Sequence, residues 1–165
     1  MFTLGEFTRH LLVAATAEIA ALQEGLEVAA KLIESSAKKE IGHLQPEVGP
    51  FNAWDELAES TQIEKERLGY VFNDDYNPLL RTGELRDSIQ HEVRPLEAIV
   101  GSRSMIMAYQ EFGTSRGIPP RPVLGPAAYK NKEKIRAIIG AAAISGIVGS
   151  RRIPEALGYD MEAEA

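Results

Sequence analysis

The sequence predicts an α+β domain with a long N-terminal helix, a second helix, a small antiparallel sheet, a C-terminal helix and a flexible C-terminal tail. Three observations lead there. Apolar residues recur at steps of three and four from Leu11 to Ile33, a short run from Ser88 alternates apolar with polar, and a last helical run follows a segment dense in proline and glycine. At 165 residues the chain suits a single domain over 1–150, with enough length for a real core, and a tail over 151–165.

The first element is the most regular. Leu11/Leu12, Ala15, Ile19, Leu22, Leu26, Ala29/Ala30 and Ile33 form one stripe, while Glu18, Glu24, Glu27, Lys31 and Glu34 take other faces. A helix over 6–40 follows, stopped at Gly42. At 1.5 Å per residue it extends about 50 Å, more than a domain of this size needs for its own core. Part of its stripe therefore packs on a neighbouring chain or on another helix of the same one.

His43 to Phe51 contains Pro46, Gly49 and Pro50 and reads as a loop. Asn52, with Asp55 three positions on, offers an N-cap for a second helix to about Leu68 whose inner face carries Trp54, Leu57, Ala58 and Thr61. Gly69 ends it, and 73–78 (Asn-Asp-Asp-Tyr-Asn-Pro) is a loop. Thr82 can cap a short helix bearing Leu85 and Ile89. From Ser88 the period becomes two: Ile89, His91 and Val93 face one way, Gln90, Glu92 and Arg94 the other. Pro95 breaks the run and 96–100 resumes it, so a turn at Arg94–Leu96 makes an antiparallel hairpin.

Met105 to Phe112 fits one or two helical turns stopped by Gly113. The stretch 109–127 then holds four of the nine prolines and three of the fourteen glycines, too stiff for a helix and too apolar for a plain linker. It is either a rigid structural loop or a shaped surface that presents Arg116 and Arg121 to a partner. A last helix begins near Pro126, buries Ala127, Ala128, Ile135, Ile138, Ile139 and Ala142, and exposes Lys130, Lys132, Lys134 and Arg136.

Composition narrows the function. There is no cysteine, which excludes disulfide frameworks, thiolate metal sites and cysteine nucleophiles. No basic-then-apolar leader opens the chain. Its longest uncharged stretch, 137–150, is too short to span a bilayer and holds three glycines. Net charge is −6 overall but uneven: −8 over 1–80, +4 over 81–136 and −2 over 137–165. An acidic total disfavours tight wrapping of nucleic acid, and the asymmetry fits surfaces that meet complementary neighbours, copies of the same chain included.

No catalytic constellation emerges. His10, His43 and His91 fall in a helix, a loop and a strand without metal-ligand spacing, and His91 beside Glu92 reads as a surface pair. Neither a nucleophile elbow nor a phosphate-binding P-loop is present. The carboxylate pairs Asp74/Asp75 and Glu84/Asp87 fit loop and helix-start roles, and the first lacks the EF-hand glycine and terminal glutamate. The expectation is a non-enzyme with no cofactor and no metal. Arg81, Arg86, Arg103, Arg116 and Arg121 are spread over several elements with no helix-turn-helix, zinc or stacking signature, which leaves only loose backbone contact with DNA.

Two blocks carry a resemblance. Leu80-Arg-Thr-Gly-Glu-Leu-Arg-Asp-Ser-Ile89 is followed about twenty residues later by Ala108-Tyr-Gln-Glu-Phe-Gly-Thr114 and then by Ile118-Pro-Pro-Arg-Pro-Val-Leu124. Their order and spacing resemble the tail-completion or head–tail joining (neck) proteins of tailed bacteriophages and of phage-derived gene transfer particles. The matching positions are Thr82, Gly83, Leu85, Ser88 and Ile89, then Tyr109, Glu111, Phe112, Gly113 and Thr114, then Pro120, Arg121 and Pro122. The Trp54–Lys65 stretch is similar to the segment ahead of the first block in the Mu-like branch. Ala108 precedes Tyr109 where that family more often has the reverse order, and Val123 replaces its phenylalanine.

The resemblance covers roughly 50–140. It implies a structural virion protein at the head–tail joint, assembled as a ring, in that family a hexamer. One face would meet the head-side connector and the other the tail terminator, with DNA passing through the lumen without sequence-specific binding. Subunit or partner contacts would then involve Arg116, Arg121, Glu111 and Phe112, the two arginines facing a neighbour's carboxylates. Two rivals predict different behaviour: a non-specific DNA-contacting module, and a morphogenesis chaperone absent from the finished particle.

Overall fold

A computed structural model describes residues 4–148, excepting the side chains of Glu6, Phe7, His10, Leu11, Ile147 and Val148. The tail expected over 151–165 lies outside the described residues. The class is α+β, in the order α1 (Leu4–Glu40), α2 (Glu59–Arg67), α3 (Glu84–Asp87), β1 (Ile89–Arg94), β2 (Glu97–Ser102), α4 (Met105–Phe112), α5 (Leu124–Lys130) and α6 (Lys132–Val148). The strands form one antiparallel hairpin turned at Pro95-Leu96; along β1 Ile89 is buried and His91 and Val93 half-buried, while Gln90, Glu92 and Arg94 are exposed, as its alternation requires. No described helix is long and apolar enough to cross a membrane.

The described residues divide into two compact units, one of residues 30–92 and 99–132, the other of 4–29, 93–98 and 133–148. In the first, Ala37 and Ile41 of α1 meet Trp54, Ile89, Met107, Val123 and Ala127, with Leu79, Leu80, Leu85 and Leu124 packed around them. The Trp54–Lys65 stretch and the Leu80–Ile89 and Ile118–Leu124 blocks contribute to this core, and Met107 enters it just ahead of the Ala108–Thr114 block. In the second unit α1 and α6 approach closely along small residues. A Cβ on Gly25 would stand 2.5 Å from the Ala142 Cβ, and one on Gly146 would stand 2.6 Å from the Glu18 Cα. Contact at that distance leaves no room for any side chain, which explains glycines in the interior of two helices despite their cost there.

Three sequence expectations change. The second helix starts at Glu59, not Asn52, with Ala58 as a cap residue that lends no side-chain bond. Residues 53–58 are not helical because tertiary bonds claim their backbone. Trp54 N–H donates to Gln45 O at 2.9 Å, and the carbonyls of Asp55 and Glu56 accept from Arg121. At α3 the cap residue is Gly83, at φ 91°, and Thr82 Oγ1 reaches Glu84 N only at 3.5 Å. A left-handed residue is needed there, which selects glycine over threonine. Finally, the last helix is two: Asn131 interrupts it at φ −100°, ψ 5°, buried and donating Nδ2 to Ala127 O at 2.8 Å. A side chain that bonds back to the preceding turn competes with continuation of the helix.

The 73–78 loop is knotted by its own amides. Asn73 Oδ1 accepts from the backbone of Asp75 and Asn77, while Asn73 Nδ2 donates to Gly42 O at 2.7 Å. Asp75 Oδ2 accepts from Leu44 N at 3.2 Å, so one of the two adjacent aspartates works as a loop tie. Among the described residues no group of His, Asp or Glu has the geometry to hold a metal ion.

Candidate functional site

The Gly/Pro-rich segment and the helix before it form the most distinctive region. Gly113 ends α4 at φ 70°, and a Cβ there would meet Ile118 O at 2.9 Å and Pro120 N at 3.1 Å. The chain then closes a small loop: Thr114 N donates to Ile118 O at 3.0 Å, Gly117 N to Thr114 O at 3.1 Å, and Thr114 Oγ1 accepts from Ile118 N at 3.3 Å. The glycine and the threonine of the Glu-Phe-Gly-Thr block are thus required by the backbone path itself.

Glu111 is the keystone of the return. Its carboxylate accepts from three successive backbone amides at the start of α5: Val123 at 2.8 Å, Leu124 at 3.2 Å and Gly125 at 3.2 Å. Those are the donors a helix start leaves unsatisfied, and no residue at the cap position serves them. Trp54 Nε1–H donates to Pro122 O at 3.1 Å, tying the arm to the 53–58 segment.

Arg121 corrects the expectation drawn from the resemblance. It is only 6% exposed, its backbone N–H donates to Gln110 O at 2.6 Å, and its Nη2 donates to the carbonyls of Asp55 at 3.0 Å and Glu56 at 3.2 Å. Burial lowers its pKa while the Asp55 charge opposes the shift, and the guanidinium stays charged. An arginine committed to two carbonyls of its own chain is an internal tie, not a contact for a neighbour's carboxylates. The same holds for Glu111, whose oxygens are spent on α5.

The first block is likewise structural. Ile89 is fully buried, Leu85 packs against the core, and Ser88 Oγ bonds Leu85 O and Ser102 Oγ, each at 2.7 Å. Of the motif positions, Phe112 points the other way, at 81% exposed, Tyr109 is half exposed and Pro120 lies at the surface; the contact candidate Arg116 is exposed as well.

What α4 turns outward is apolar. Met105, Tyr109 and Phe112, spaced i, i+4 and i+7, share one helical face, and Ile106 and Ile118 border it; all five are exposed. Met107 on the opposite face is buried. Arg103 and Arg116, both exposed, flank the stripe in sequence and make no ion pair among the described residues. Sequence reasoning offered Phe112 and Arg116 as contact residues but not Met105 and Ile106, whose signal was the apolar period of 105–112, and it weighed Arg103 only for contact with DNA. Beside this face an open groove of about 1340 Å³ runs past Leu68, Arg81, Gly83, Ile106, Ile118 and Arg121. Two of its buried polar atoms, Gln110 Oε1 and Arg121 Nε, have no hydrogen-bond partner.

Several titratable groups elsewhere are tied within the chain. His91 Nδ1 bonds Glu34 Oε2 of α1, a partner distant in the sequence. Lys38 Nζ reaches Glu34 Oε1 at 2.5 Å. Those two bonds, His91's first, hold the Glu34 carboxyl below its ordinary range. Lys65, buried in α2, donates Nζ to Asn77 O at 2.5 Å and Leu80 O at 2.9 Å, and desolvation lowers its pKa. Arg81 pairs with Glu64 at 2.6 Å and Arg86 with Asp87 at 2.9 Å. No protein-family profile, curated protein or solved structure matches the chain.

Proposed function

We propose that this chain is a structural protein of the head–tail joint of a tailed bacteriophage or a gene transfer particle, one of several copies in a ring between the head-side connector and the tail terminator. The reading rests on the order and spacing of the Thr82–Ile89, Tyr109–Thr114 and Ile118–Leu124 blocks. The observation that carries it is the outward stripe of Met105, Tyr109 and Phe112 on α4. A monomer gains nothing from exposing that much contiguous apolar surface, whereas an assembly buries it. Its work would be geometric: contacts on the outer faces set the joint, and DNA passes through the lumen with little adhesion.

Mass spectrometry of purified particles tests the reading. The protein is expected in finished particles in a fixed ratio to the connector. Its presence in assembling cells but absence from particles would assign it a morphogenesis role instead. Phe112→Asp is expected to give filled heads and free tails that fail to join, visible by electron microscopy, while the variant itself still folds. Retention on DNA cellulose that falls steeply with salt would favour a DNA-contacting module.

A further inference from the structure

The motif blocks and the α4 stripe leave one strongly charged feature without a use. An open pocket of about 770 Å³ is lined by Lys31, Lys38 and Lys39 of α1, Arg86 of α3 and His91 of β1, all in the first compact unit. Glu34 is the one carboxylate of its lining, and Asp87 stands beside it, paired with Arg86. Four permanent cations therefore stand against two acids, three of the four in a stretch, 1–80, whose balance is −8. Both acids are already bonded to cations. Bonds from His91 and Lys38 hold the Glu34 carboxyl below its ordinary range, the Arg86 bond does so for Asp87, and the Lys38 charge adds to each. Lys39 is exposed and makes no ion pair among the described residues. A concavity with a surplus of cations takes anions.

The sequence supplies a matching anion. Residues 153–165 hold Glu155, Asp160, Glu162 and Glu164 and no base. In an extended chain alternate residues face one side, so Asp160, Glu162 and Glu164 would present three carboxylates over about 13 Å. Lys31 and Lys38, two turns apart on α1, span about 10 Å. From this we infer that the 153–165 segment of one copy docks in the pocket of a neighbouring copy, its alternating carboxylates on Lys31, Lys38 and Lys39. The inference rests on the ring reading, which requires contacts between copies. Pocket and segment are unlike surfaces, so the contact is heterologous, and its repetition closes a ring when the rotation permits. A DNA duplex fits less well. Tight binding there comes from neutralising many phosphates, and a patch two helical turns long reaches few.

Cross-linking tests the docking, because the chain has no cysteine of its own. Ser35 lines the pocket and is exposed. A Ser35→Cys chain mixed with an Ala163→Cys chain and treated with a short bismaleimide should give the mixed dimer in clear excess over random pairing. Raised salt should abolish that excess. So should Lys31→Glu with Lys39→Glu in the Ser35→Cys chain; both side chains are exposed, and this variant should melt with the parent. Asp160→Lys, Glu162→Lys and Glu164→Lys in the Ala163→Cys chain should then restore the excess, since both signs have been exchanged.

Random pairing of the two single-cysteine chains would overturn the docking, as would an excess that survives the lysine reversal. In a chain carrying both cysteines, a link within one chain that persists on dilution would overturn the contact between copies. Retention of short duplex DNA that the lysine reversal abolishes, together with random cross-linking, would assign the pocket to phosphates instead. Failure here leaves the neck reading to the particle mass spectra, which do not depend on which surfaces meet.

Discussion

The two halves of α1 share one pattern and have different surroundings. Apolar residues continue at the same spacing from Leu12 to Ile33, but the C-terminal half is enclosed by Trp54, Ile89, Val123 and Ala127 while the N-terminal half presents Leu12 and Ile19 to solvent. A helical period therefore reports that a face is to be covered and not what covers it. The arginines of the proline-rich arm repeat the contrast. Arg121 is locked to the carbonyls of Asp55 and Glu56, whereas Arg116, five residues earlier, is free at the surface.

The largest test of the first contrast places one charge in each half. Ala37 is fully buried, and Ala37→Asp puts an unpaired carboxylate into the core, at a cost above about 4 kcal/mol that should leave the chain unfolded. Leu12→Asp should change the unfolding free energy of the isolated chain by no more than about 0.5 kcal/mol, since Leu12 is exposed. Urea titration followed by circular dichroism reads both, and equal costs would mean that the outer half is packed within its own chain.

The arginines give the intermediate test. Arg121→Ala strands the Asp55 and Glu56 carbonyls and is expected to cost roughly 2–4 kcal/mol, whereas Arg116→Ala should cost less than about 0.5 kcal/mol. If Arg121→Ala melted with the parent and only assembly suffered, its role would be at an interface after all.

The smallest effect separates two glutamates of α1 by pH. Glu34 has a folded pKa below its unfolded value, from its bonds to His91 and Lys38, so its contribution is present above the ordinary carboxylate range and lost as pH falls through the folded pKa. Glu40 is raised, chiefly by burial, with Lys130 at 2.9 Å opposing and the Glu111 charge adding. Its contribution runs the other way: stability falls as pH rises from the unfolded pKa through the raised folded one. Glu34→Gln should therefore remove part of the acid-side loss, and Glu40→Gln part of the loss on the rising side. Unfolding titrations between about pH 2 and 7 distinguish them, the Glu34 effect falling below the ordinary glutamate pKa of about 4.3 and the Glu40 effect above it, and parallel profiles for the two variants would refute the assignment.

Much of the fold was readable in the residue order. The α1 span, its stop near Gly42, the hairpin about Pro95, and α4 ended by Gly113 all rest on local causes, namely period, glycine angles and proline's missing donor. The misplaced start of α2 rests on a distant one. Asn52 and Asp55 form a sound local cap pattern, and what overrides it is Arg121, sixty-six residues away along the chain, taking the Asp55 carbonyl. The candidate surface divides the same way. Phe112 and Arg116 were legible because they sit in a conspicuous segment, while Met105 and Ile106 were not, since which face of α4 is outward is decided by Met107 turning into the core.

Local chemistry thus determined which stretches are helix or strand and where most of them stop, because those choices depend on neighbours within a few positions. Tertiary structure alone decided which charged groups are spent inside the chain and which remain at its surface. Glu111 and Arg121 look like partner contacts until the amides of α5 and the carbonyls of 55–56 are brought to them from elsewhere in the sequence. A side chain's commitment is a property of three-dimensional proximity, and no spacing along the chain encodes it.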